Sequence, residues 1–489
     1  MILTATDLYT YLRPSKCDLR IYLKHRGEEE APPGPYEEVL RKLGIKHEQS
    51  HLKTFPSYVD LSSGTIDQRE HQTKESVAQG ALVLYQPVLR ARMVLDDIDC
   101  EIIGEPDYLI HEQGRYIVRD SKISRRITEK DHPEILHQLE IYGWLFKQNF
   151  GQPPLCLQVH SGTGDIVDLP YGGGLMALNT FREILALKLA GVEPFHPVGW
   201  SKCSDCGYNY RCWPKAVDSR DVAIVYKVDQ GLVIALREKG IRTFNELLGA
   251  FDEASLAEFK RLRGGRPTRV GKDAVLIMRM ARAMAQGEFL LQPPNLPEYP
   301  NYVMFDLEGI PPHLDEANKI YLWGLQVFGD RPSKFQAAEA GFGKDGDREG
   351  WEKFLRRAKV IFAEYGDIKF VHWHRYEADN IANYVKRYGD PDGIAAQVQA
   401  NLLDLHPITQ NSIALPLPSY SLKVVEKYIG FQRTLPEGAG DWAMARYIEA
   451  TEMEDEDLRA QVLDQIKTYN REDLEATWAI LKWLKSKSG

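Results

Sequence analysis

Four cysteines have a spacing that is typical of a metal centre. Cys203, Cys206 and Cys212 form a C-x2-C-x5-C cluster, and Cys17 lies near the amino terminus. Four thiols are the number that a cubane iron–sulfur cluster or a tetrahedral zinc ion requires. Unpaired surface thiols or two disulfides are the alternatives, but nothing else in the chain indicates export, and a reducing cytosol disfavours disulfides. We therefore expect a metal centre that joins the start of the first domain to its end.

A second group in the amino-terminal half has the chemistry of a divalent-cation site. Asp107 lies at the entry to an expected strand, GEPDYLI, and Asp120 and Lys122 lie in YIVRDSKI. Period-two alternation places the side chains of Asp120 and Lys122 on one face of the sheet. Two carboxylates and a histidine, His47 of an expected helix, can hold a hard cation, and the lysine can orient or help deprotonate the attacking water and offset phosphate charge. The ordered set, rather than any single residue, predicts this chemistry.

The carboxy-terminal half offers another set of acids. Asp306 and Glu308 stand at i, i+2 on the expected strand NYVMFDLEGI, and two acids on an apolar strand are costly unless a cation pairs with them. Separate elements supply the other candidates, which are Asp379, Asp404 and, one turn apart on the last helix, Tyr469 and Asp473. Such a set suits two metal ions about 3.5–4 Å apart, one to prepare the water and one to stabilise the leaving oxygen.

Between these sets, residues 220–290 are expected to be largely helical. GLVIALREKGIRTFNELLGAF predicts a helix, a glycine-centred hairpin and a helix, and KRLRGGRPTRVGKDAVLIMRMARAMAQG repeats that theme. From Lys260 to Arg282 there are eight Lys or Arg residues against one acid, near Gly264, Gly265 and Gly271. The pattern resembles a helix-hairpin-helix module that presents cations and N–H groups to phosphates, with a solvated helical spacer as the alternative. A proline-rich stretch, LLQPPNLPEYP, then predicts a linker.

Composition sets few limits on function. The chain has 489 residues, a length that favours two to four domains. Its contents of 43% hydrophobic and 27% charged residues are those of an ordinary globular protein. The opening lacks a signal peptide's basic start and apolar core, and no run of eighteen apolar residues occurs, so we expect a cytoplasmic protein with no membrane partner. The formal net charge of −9 argues against blanket electrostatic binding of nucleic acid but allows a local basic channel.

The amino-terminal motifs, over about residues 1–215, resemble the RecB-like branch of the PD-(D/E)xK nucleases, in particular the iron–sulfur exonucleases of CRISPR adaptation. The next helix places Gln138 and Tyr142 one turn apart, which completes the family's order of helix histidine, G-x-x-D, (D/E)-x-K, Q-x3-Y and cysteines. The resemblance implies a [4Fe–4S] cluster on the four cysteines, with zinc as the alternative. It also implies the following roles: Mg²⁺ or Mn²⁺ on His47, Asp107 and Asp120, catalysis by Lys122, and positioning of substrate or lysine by Gln138 and Tyr142. The family often has Glu where this chain has Asp120, a carboxylate on a shorter arm.

The carboxy-terminal motifs resemble the proofreading-type DEDD exonucleases of the RNase H-like fold. Asp306 and Glu308 match the first motif, Asp379 the second, and Tyr469 and Asp473 the third. The histidine subclass would need His at position 468, where Thr468 stands, so the resemblance implies the tyrosine subclass with Tyr469 orienting the water. The second motif, HWHRYEAD, departs from the family's asparagine-containing turn, and Asp404 is the substitute for Asp379 as a metal ligand, although a structural role suits it better. A degenerate domain used only for binding is the alternative.

Together these patterns predict a multidomain α/β protein. The expected parts are a restriction-endonuclease-like mixed sheet with helices (1–218), a helix-hairpin-helix-like module (219–290), a linker (291–300) and an RNase H-like domain (301–489). The whole order resembles a family of bacterial RecB-like nucleases that carry an RNase H-like exonuclease at the carboxy terminus. The expected function is metal-dependent hydrolysis of single-stranded or frayed DNA at two centres, the second acting from the 3′ end. An RNA exonuclease or processing enzyme, or a nucleic-acid-binding scaffold with one inactive centre, are the alternatives.

Overall fold

The protein folds into two compact units. The computed structural model describes residues 1–13, 15–128, 131–263, 266–310, 319–435 and 440–487. Unit 1 consists of Met1–Pro33 and Leu40–Pro214, and unit 2 of Gly34–Val39 and Lys215–Gly489. Helices and mixed sheets occur in both, which confirms the predicted α/β class. No helix in these described ranges combines the length and the apolar character needed to cross a membrane.

The first 218 residues alternate short helices and strands. The opening elements are β1 (Ile2–Thr4), α1 (Ala5–Leu12), α2 (Asp18–His25), α3 (Pro35–Leu52), β2 (Val59–Asp60) and α4 (Ile66–Ala78). A run of strands follows, namely β3 (Val83–Tyr85), β4 (Leu89–Leu95), β5 (Ile98–Gly104), β6 (Tyr108–Glu112) and β7 (Arg115–Ser121). The remaining elements are α5 (Pro133–Phe150), β8 (Leu157–His160), β9 (Ile166–Leu169), α6 (Leu175–Leu189), α7 (Trp200–Cys203) and α8 (Asn209–Asp218).

Two sheets form the frame of unit 1. A six-stranded mixed sheet has the order β2-β3-β6-β7-β8-β9, and a three-stranded sheet has the order β1-β5-β4. Strands β6 and β7 are antiparallel, with Tyr108 opposite Arg119. The start of β6 therefore lies beside the end of β7, and this brings Asp107 next to Asp120.

Helix α5 packs closely against the three-stranded sheet because Gly104 carries no side chain. A Cβ at Gly104 would lie 2.7 Å from carbon atoms of both Leu145 and Tyr142. Tyr142 and Leu145 belong to the main hydrophobic core of the unit. The close approach of α5 also brings Gln138, one turn before Tyr142, towards the strand ends that carry the acids.

Unit 2 begins with a helical region. A 3-10 turn (Val222–Ile224) leads to α9 (Gln230–Glu238), α10 (Phe244–Ala250), α11 (Glu253–Glu258), β10 (Lys260–Arg263), β11 (Arg266–Arg269), α12 (Asp273–Gln286) and β12 (Phe289–Leu290). The next elements are β13 (Asn301–Gly309), β14 (Ile320–Gly329), β15 (Gln336–Glu339), α13 (Gly343–Tyr365), β16 (Lys369–His372), α14 (Tyr376–Tyr388) and α15 (Ile394–Ala400). The chain continues with β17 (Leu402–Asp404), α16 (Leu405–Ser412), β18 (Ile413–Ala414), α17 (Leu422–Tyr428), α18 (Gly440–Glu452) and α19 (Glu456–Ser486).

A five-stranded sheet of order β15-β14-β13-β16-β17 organises the rest of unit 2. Strand β13 is antiparallel to β14 and parallel to β16, and it lies at the centre of the sheet. One face is covered by α13, whose Trp351 and Phe354 pack on Phe305 and Trp323. The other face is covered by α18 and α19. The central strand is therefore buried on both faces, which explains why NYVMF is an unbroken apolar run apart from its first residue.

Residues 260–263 and 266–269 differ from the predicted helical pattern. These two segments form an antiparallel strand pair in which Lys260 lies opposite Arg269 and Arg263 opposite Arg266. The helical prediction for these two segments is wrong, because they pair as strands. At the base of the pair, the Val270 N–H donates a backbone hydrogen bond to the Phe259 carbonyl oxygen at 2.9 Å. Gly264 and Gly265, which entered the phosphate-binding prediction, lie outside the described residues.

Candidate active sites

Three acidic side chains of unit 2 converge on one face of the central strand. Asp306 and Glu308 come from β13, and Asp473 comes from α19, which packs across that face. One oxygen atom from each carboxylate lies within 4.8 Å of the other two. Within the part of the chain that the structure describes, no other three His, Cys, Asp or Glu side chains meet this closely. Carboxylate oxygens are the ligands that Mg²⁺ and Mn²⁺ prefer, so this group fits a divalent cation.

The surroundings of Asp306 and Glu308 disfavour the charged forms of these two acids. Burial, followed by repulsion from Asp473, raises the pKa of Asp306 well above its usual range. The same two causes raise the pKa of Glu308 to about 8. A bound cation would lower both pKa values, because an opposite charge favours the ionised form. Packing alone gives no reason to bury three acids together, so the group indicates a cation site.

Asn470 is a member of this site that the sequence analysis missed. Its Nδ2 donates hydrogen bonds to Asp306 Oδ2 at 2.7 Å and to Glu308 Oε1 at 3.5 Å. The amide fits there because Gly324, directly opposite Asp306 on β14, has no Cβ to collide with it. Asn470 follows Tyr469 in TYNRED, and an amide beside two predicted site residues is the signal that would have found it.

Two cations hold the third acid in place. Lys423 Nζ lies 2.9 Å from Asp473 Oδ1, and Arg433 donates from Nη2 to the same oxygen. Arg433 is itself held by Glu426, which accepts hydrogen bonds from Nε and Nη2 at 2.6 Å each. Both contacts are made to Oδ1, and they fix the orientation of the Asp473 carboxylate. Lys423 and Arg433 were not among the predicted site residues.

Tyr469 lies beside the acids, as its position one turn before Asp473 predicts. Its ring faces Lys423 Nζ, which is 4.2 Å from the ring centroid. Burial, and then the charges of Asp473 and Glu308, raise the pKa of the Tyr469 hydroxyl far above its usual value. The hydroxyl therefore stays protonated and keeps a hydrogen to donate.

The structure does not bring Asp379 into the acidic group. Asp379 is exposed in the first turn of α14 and pairs with Arg375 at 2.9 Å. Glu377, two residues earlier, is buried, and its charge raises the pKa of Asp306. The ring of His372 holds Glu377, with 3.2 Å between Nδ1 and Oε2. Glu377 is thus the acid of this helix that faces the site, and the sequence analysis missed it.

Asp404, the substitute candidate for Asp379, accepts hydrogen bonds from nearby backbone groups. Its Oδ1 accepts hydrogen bonds from the backbone N–H groups of His374 at 2.8 Å and His406 at 2.9 Å. It thereby caps α16 and fixes the loop between β16 and α14. This pattern agrees with the structural role that the sequence analysis favoured for Asp404.

Unit 1 brings Asp107, Asp120 and Lys122 together at the strand ends of β6 and β7. Asp120 Oδ2 lies 2.8 Å from Lys122 Nζ, and its Oδ1 accepts the backbone N–H of Asp107 at 2.9 Å. Burial, and then the charge of Asp120, raise the pKa of Asp107 well above its usual range. Burial alone would lower the pKa of Lys122, but the charges of Asp120 and Asp107 raise it, so the ammonium stays charged.

A small cavity opens at these residues. Its volume is about 250 Å³, and its lining includes Asp107, Asp120, Lys122, Gln138, Tyr142 and residues 4–6. Gln138 donates from Nε2 to the Tyr142 hydroxyl at 3.0 Å, so the two residues act as one polar contact on the cavity wall. Gln138 Oε1 is buried without a hydrogen-bond partner among the described residues, which leaves an acceptor available at this wall.

His47 does not point into this cavity. Its ring stacks on His160 with 4.2 Å between centroids, and its Nε2 lies 3.3 Å from the His160 carbonyl oxygen. The next residue, Glu48, is linked to Asp107 through Gln86. The Nε2 of Gln86 donates to Glu48 Oε1 at 2.7 Å and to Asp107 Oδ1 at 3.2 Å. The charge of Glu48 also raises the pKa of Asp107. Glu48 is a further site residue that the sequence analysis missed.

The four predicted cluster cysteines are neighbours. Cys17, Cys206 and Cys212 pack against one small hydrophobic cluster. Burial raises the pKa of Cys17 to about 11, with a further contribution from the charges of Cys203 and Cys206. Burial and the charges of the other three thiols raise the pKa of Cys212 to about 12. None of these cysteines forms a disulfide. Four clustered thiols that disfavour one another's ionisation fit a group that supplies positive charge.

One family model matches part of the chain. Residues 303–485 match the family model of the RNase_H superfamily. Unit 2 carries an RNase H-like domain. A solved structure entitled "Crystal structure of SSO0001" is 17% identical over 44% of this chain and 86% of that chain, with a TM-score of 0.24, too low to indicate a shared fold. No curated protein sequence matches the chain.

The RNase H-like domain runs from β13 to α19 and so contains the whole acidic group of Asp306, Glu308 and Asp473. Domains of this superfamily use such acids to bind Mg²⁺ or Mn²⁺. The match therefore supports metal-dependent nuclease chemistry, with nucleic acid as the class of substrate.

Proposed function

We propose that this chain is a metal-dependent nuclease with two centres that hydrolyses phosphodiester bonds of single-stranded or frayed DNA. The observation that carries the proposal is the convergence of Asp306, Glu308 and Asp473 inside the RNase H-like domain. The raised pKa values of Asp306 and Glu308, which lie beside Asp473, favour a bound cation, and a nuclease of this superfamily is the function that supplies a reason for one.

At the unit 2 centre, Asp306, Glu308 and Asp473 would hold the divalent metal, with Glu377 close by. The metal would polarise the scissile phosphate and stabilise charge on the leaving oxygen. Asn470 fixes the rotamer of Asp306, while Lys423 and Arg433 fix that of Asp473. Tyr469 keeps its proton and can donate a hydrogen bond to the attacking water or to a phosphate oxygen. We propose that this centre removes nucleotides from 3′ ends, as the resemblance to the tyrosine-subclass exonucleases implies.

At the unit 1 centre, Asp107 and Asp120 would hold the metal. Lys122 stays charged beside Asp120, so it offsets phosphate charge and positions water rather than removing a proton. The hydrogen-bonded pair of Gln138 and Tyr142 forms a wall of the cavity against which substrate can rest. We propose that His47 reaches the metal only after its ring leaves His160, because in the structure it stacks there.

For the cysteines we propose a [4Fe–4S] cluster with a structural role. Cys17, Cys206 and Cys212 pack against one small hydrophobic cluster, and burial together with the charges of the other three thiols raises the pKa of Cys212. Four thiols gathered in this way fit either a tetrahedral zinc ion or a cubane. The resemblance of the C-x2-C-x5-C spacing to the iron–sulfur exonucleases is what favours the cluster over zinc.

The test is a digestion time course on end-labelled single-stranded DNA and RNA of the same sequence, with Mn²⁺ or with EDTA. The parent is compared with Lys122→Ala and Asp473→Ala. We expect metal-dependent digestion of DNA by the parent and a different surviving end polarity in each variant. Preferential digestion of RNA would favour the RNA exonuclease, and undiminished digestion by both variants would show that neither centre is catalytic.

A further inference from the structure

The strand pair β10–β11 carries an unusual arrangement of charge. We call residues 260–263 and 266–269 the basic ribbon. It contains five cations and no acid, which are Lys260, Arg261, Arg263, Arg266 and Arg269. Cross-strand neighbours in an antiparallel pair lie on the same face, about 4.5–5.5 Å apart between Cβ atoms. Lys260 is directly opposite Arg269, and Arg263 is directly opposite Arg266, so both of these pairs join like charges.

Like charges in directly opposed positions destabilise a strand pair. Four of the five cations are exposed, and Lys260, Arg263 and Arg266 form no ion pair with any described residue, whereas Arg269 has one exposed partner, Glu258, at 3.1 Å. A protein of net charge −9 has many acids with which to neutralise such a ribbon. A local arrangement that opposes folding without a compensating contact indicates a binding role.

The fifth cation anchors the ribbon to the helices behind it. Arg261 is 3% exposed and lies 3.3 Å from Asp229, the cap of α9, and 3.5 Å from Asp273, in the first turn of α12. Gly231 of α9 allows the close approach, because a Cβ there would overlap the carbonyl oxygen of Leu262. The ribbon is therefore a fixed projection on two helices.

The ribbon's dimensions and side chains fit a groove of duplex nucleic acid. The major groove of a duplex admits a two-stranded β-ribbon. Three residue steps separate the two like-charged pairs along each strand, about 10 Å at 3.4 Å per residue, and the pairs lie on opposite faces. Lys260 and Arg269 share their face with Leu262, whereas Arg263 and Arg266 share theirs with the anchoring Arg261 and remain exposed farther along the ribbon. The exposed cations thus span a length over which about three phosphates recur along a nucleic-acid strand. Between the pairs lies Leu262, 60% exposed and opposite Pro267, an apolar contact suited to sugars or base edges.

We propose that the basic ribbon binds the phosphate backbones on either side of a groove in duplex nucleic acid. This rests on the proposed function, and it deepens it: the substrate is a duplex with a frayed or single-stranded end, held through its paired part. The proposed contribution of the ribbon is affinity for the duplex.

The test compares Arg263→Gln/Arg266→Gln with the parent by fluorescence anisotropy, with EDTA present to suppress cleavage. The ligands are a blunt duplex and a single strand of equal length, each titrated at several salt concentrations. Arg348→Gln/Arg356→Gln is the matched control, since it removes two arginines of α13 that are each 65% exposed. We expect the ribbon variant to bind duplex about tenfold more weakly, with a salt slope shallower by about 1.8, and to bind the single strand and melt like the parent.

The outcomes separate this inference from the proposed function. Duplex affinity unchanged from the parent, or an equal loss on duplex and single strand, would overturn the assignment to a duplex groove. A lower melting temperature for the ribbon variant would show a structural role instead, because removing like-charge pairs should leave stability unchanged or higher. Digestion of the same DNA by the parent protein is measured in a separate assay with Mn²⁺. If the parent is inactive but its duplex binding depends on the ribbon, only the proposed nuclease activity is refuted.

Discussion

The side chain of Asn470 fills the space into which a Cβ at Gly324 would project. Gly324 lies opposite Asp306 in the β13–β14 register, and Asn470 reaches over it from α19 to donate a hydrogen bond to Asp306. The absence of a side chain at Gly324 and the amide of Asn470 therefore act together to orient the Asp306 carboxylate.

Gly324→Ala should displace Asn470 and reduce activity at the unit 2 centre. The new Cβ would overlap Asn470 Oδ1, so the amide must turn away from Asp306. We expect a loss of about 10–100-fold in 3′-end digestion and about 1–3 kcal/mol in stability, measured with end-labelled DNA and by urea titration. Gly249→Ala is the control, because nothing lies within 4 Å of a Cβ there, and it should leave both quantities near the parent values. Equal activity of the two variants would contradict the role of Asn470.

Glu377→Gln and Asp379→Asn should differ sharply in their effect on the unit 2 centre. Glu377 is buried and influences Asp306, whereas Asp379 is exposed and paired with Arg375. We expect about 10–100-fold slower 3′-end digestion for Glu377→Gln and nearly parental rates for Asp379→Asn. Both variants are assayed in a Lys122→Ala background, so that only one centre contributes. The reverse ranking would restore Asp379 as the second-motif acid.

Metal binding at unit 2 should strengthen as the pH rises. In the metal-free protein the pKa of Glu308 is about 8, so at pH 7 this carboxyl is mostly protonated, and a cation must displace the proton. The apparent affinity for Mn²⁺ therefore increases as the pH rises through about 8, and the raised pKa of Asp306 acts in the same direction. Calorimetry at pH 7 in two buffers of different ionisation enthalpy should reveal proton release on binding. Glu308→Gln removes one of the two titrating groups, so proton release should fall, and release unchanged in that variant would refute the assignment.

Lys122→Met should destabilise unit 1 as well as inactivate it. The ammonium is the cation that faces Asp120 and Asp107, and its removal leaves two buried acids unneutralised. We expect a loss of about 2 kcal/mol in urea unfolding at neutral pH. The double variant Asp120→Asn/Lys122→Met removes charge from both partners, so it should recover much of the stability while remaining inactive. Full activity of either variant would exclude this site as a nuclease centre.

Cys203→Ala should remove the visible absorption of the proposed iron–sulfur cluster and lower the yield of soluble protein together, because such a cluster would join distant parts of unit 1. Cys156→Ala is the matched control, since Cys156 lies outside the four-cysteine group and forms no disulfide. Iron and zinc contents of the purified parent decide the metal directly. A colourless parent that contains zinc would contradict the cubane, and a soluble, fully active, colourless variant would contradict the structural role.

The residues of the unit 2 site were predictable where spacing determines a shared face. Asp306 and Glu308 at i, i+2 on a strand lie on one face in any sheet, and Tyr469 and Asp473 share one helix face. The choice between Glu377 and Asp379 was not predictable in this way. Both belong to the first turns of α14, and which of them faces the sheet depends on the direction in which the chain leaves β16.

The strands of the basic ribbon and the hydrogen bonds of Asn470 could not be predicted from sequence patterns. Arg261 is buried in an arginine-rich segment that is otherwise exposed, so neither period-two alternation of apolar residues nor a helical apolar face marks β10 as a strand. Asn470 is neutral and does not stand out in a search for acids. His47 lies in the predicted helix, but the rotation of its ring towards His160 depends on packing between α3 and β8.

The placement of β13 affects how the unit 2 site behaves between encounters with substrate. As the middle strand, β13 keeps hydrogen bonds to β14 or β16 whenever an edge strand, β15 or β17, opens transiently. Its amide hydrogens should therefore be among the slowest of the domain to exchange with solvent. Asp306 and Glu308 stay in register through such fluctuations, so the metal-free protein is already preorganised and a cation has little order to create when it binds.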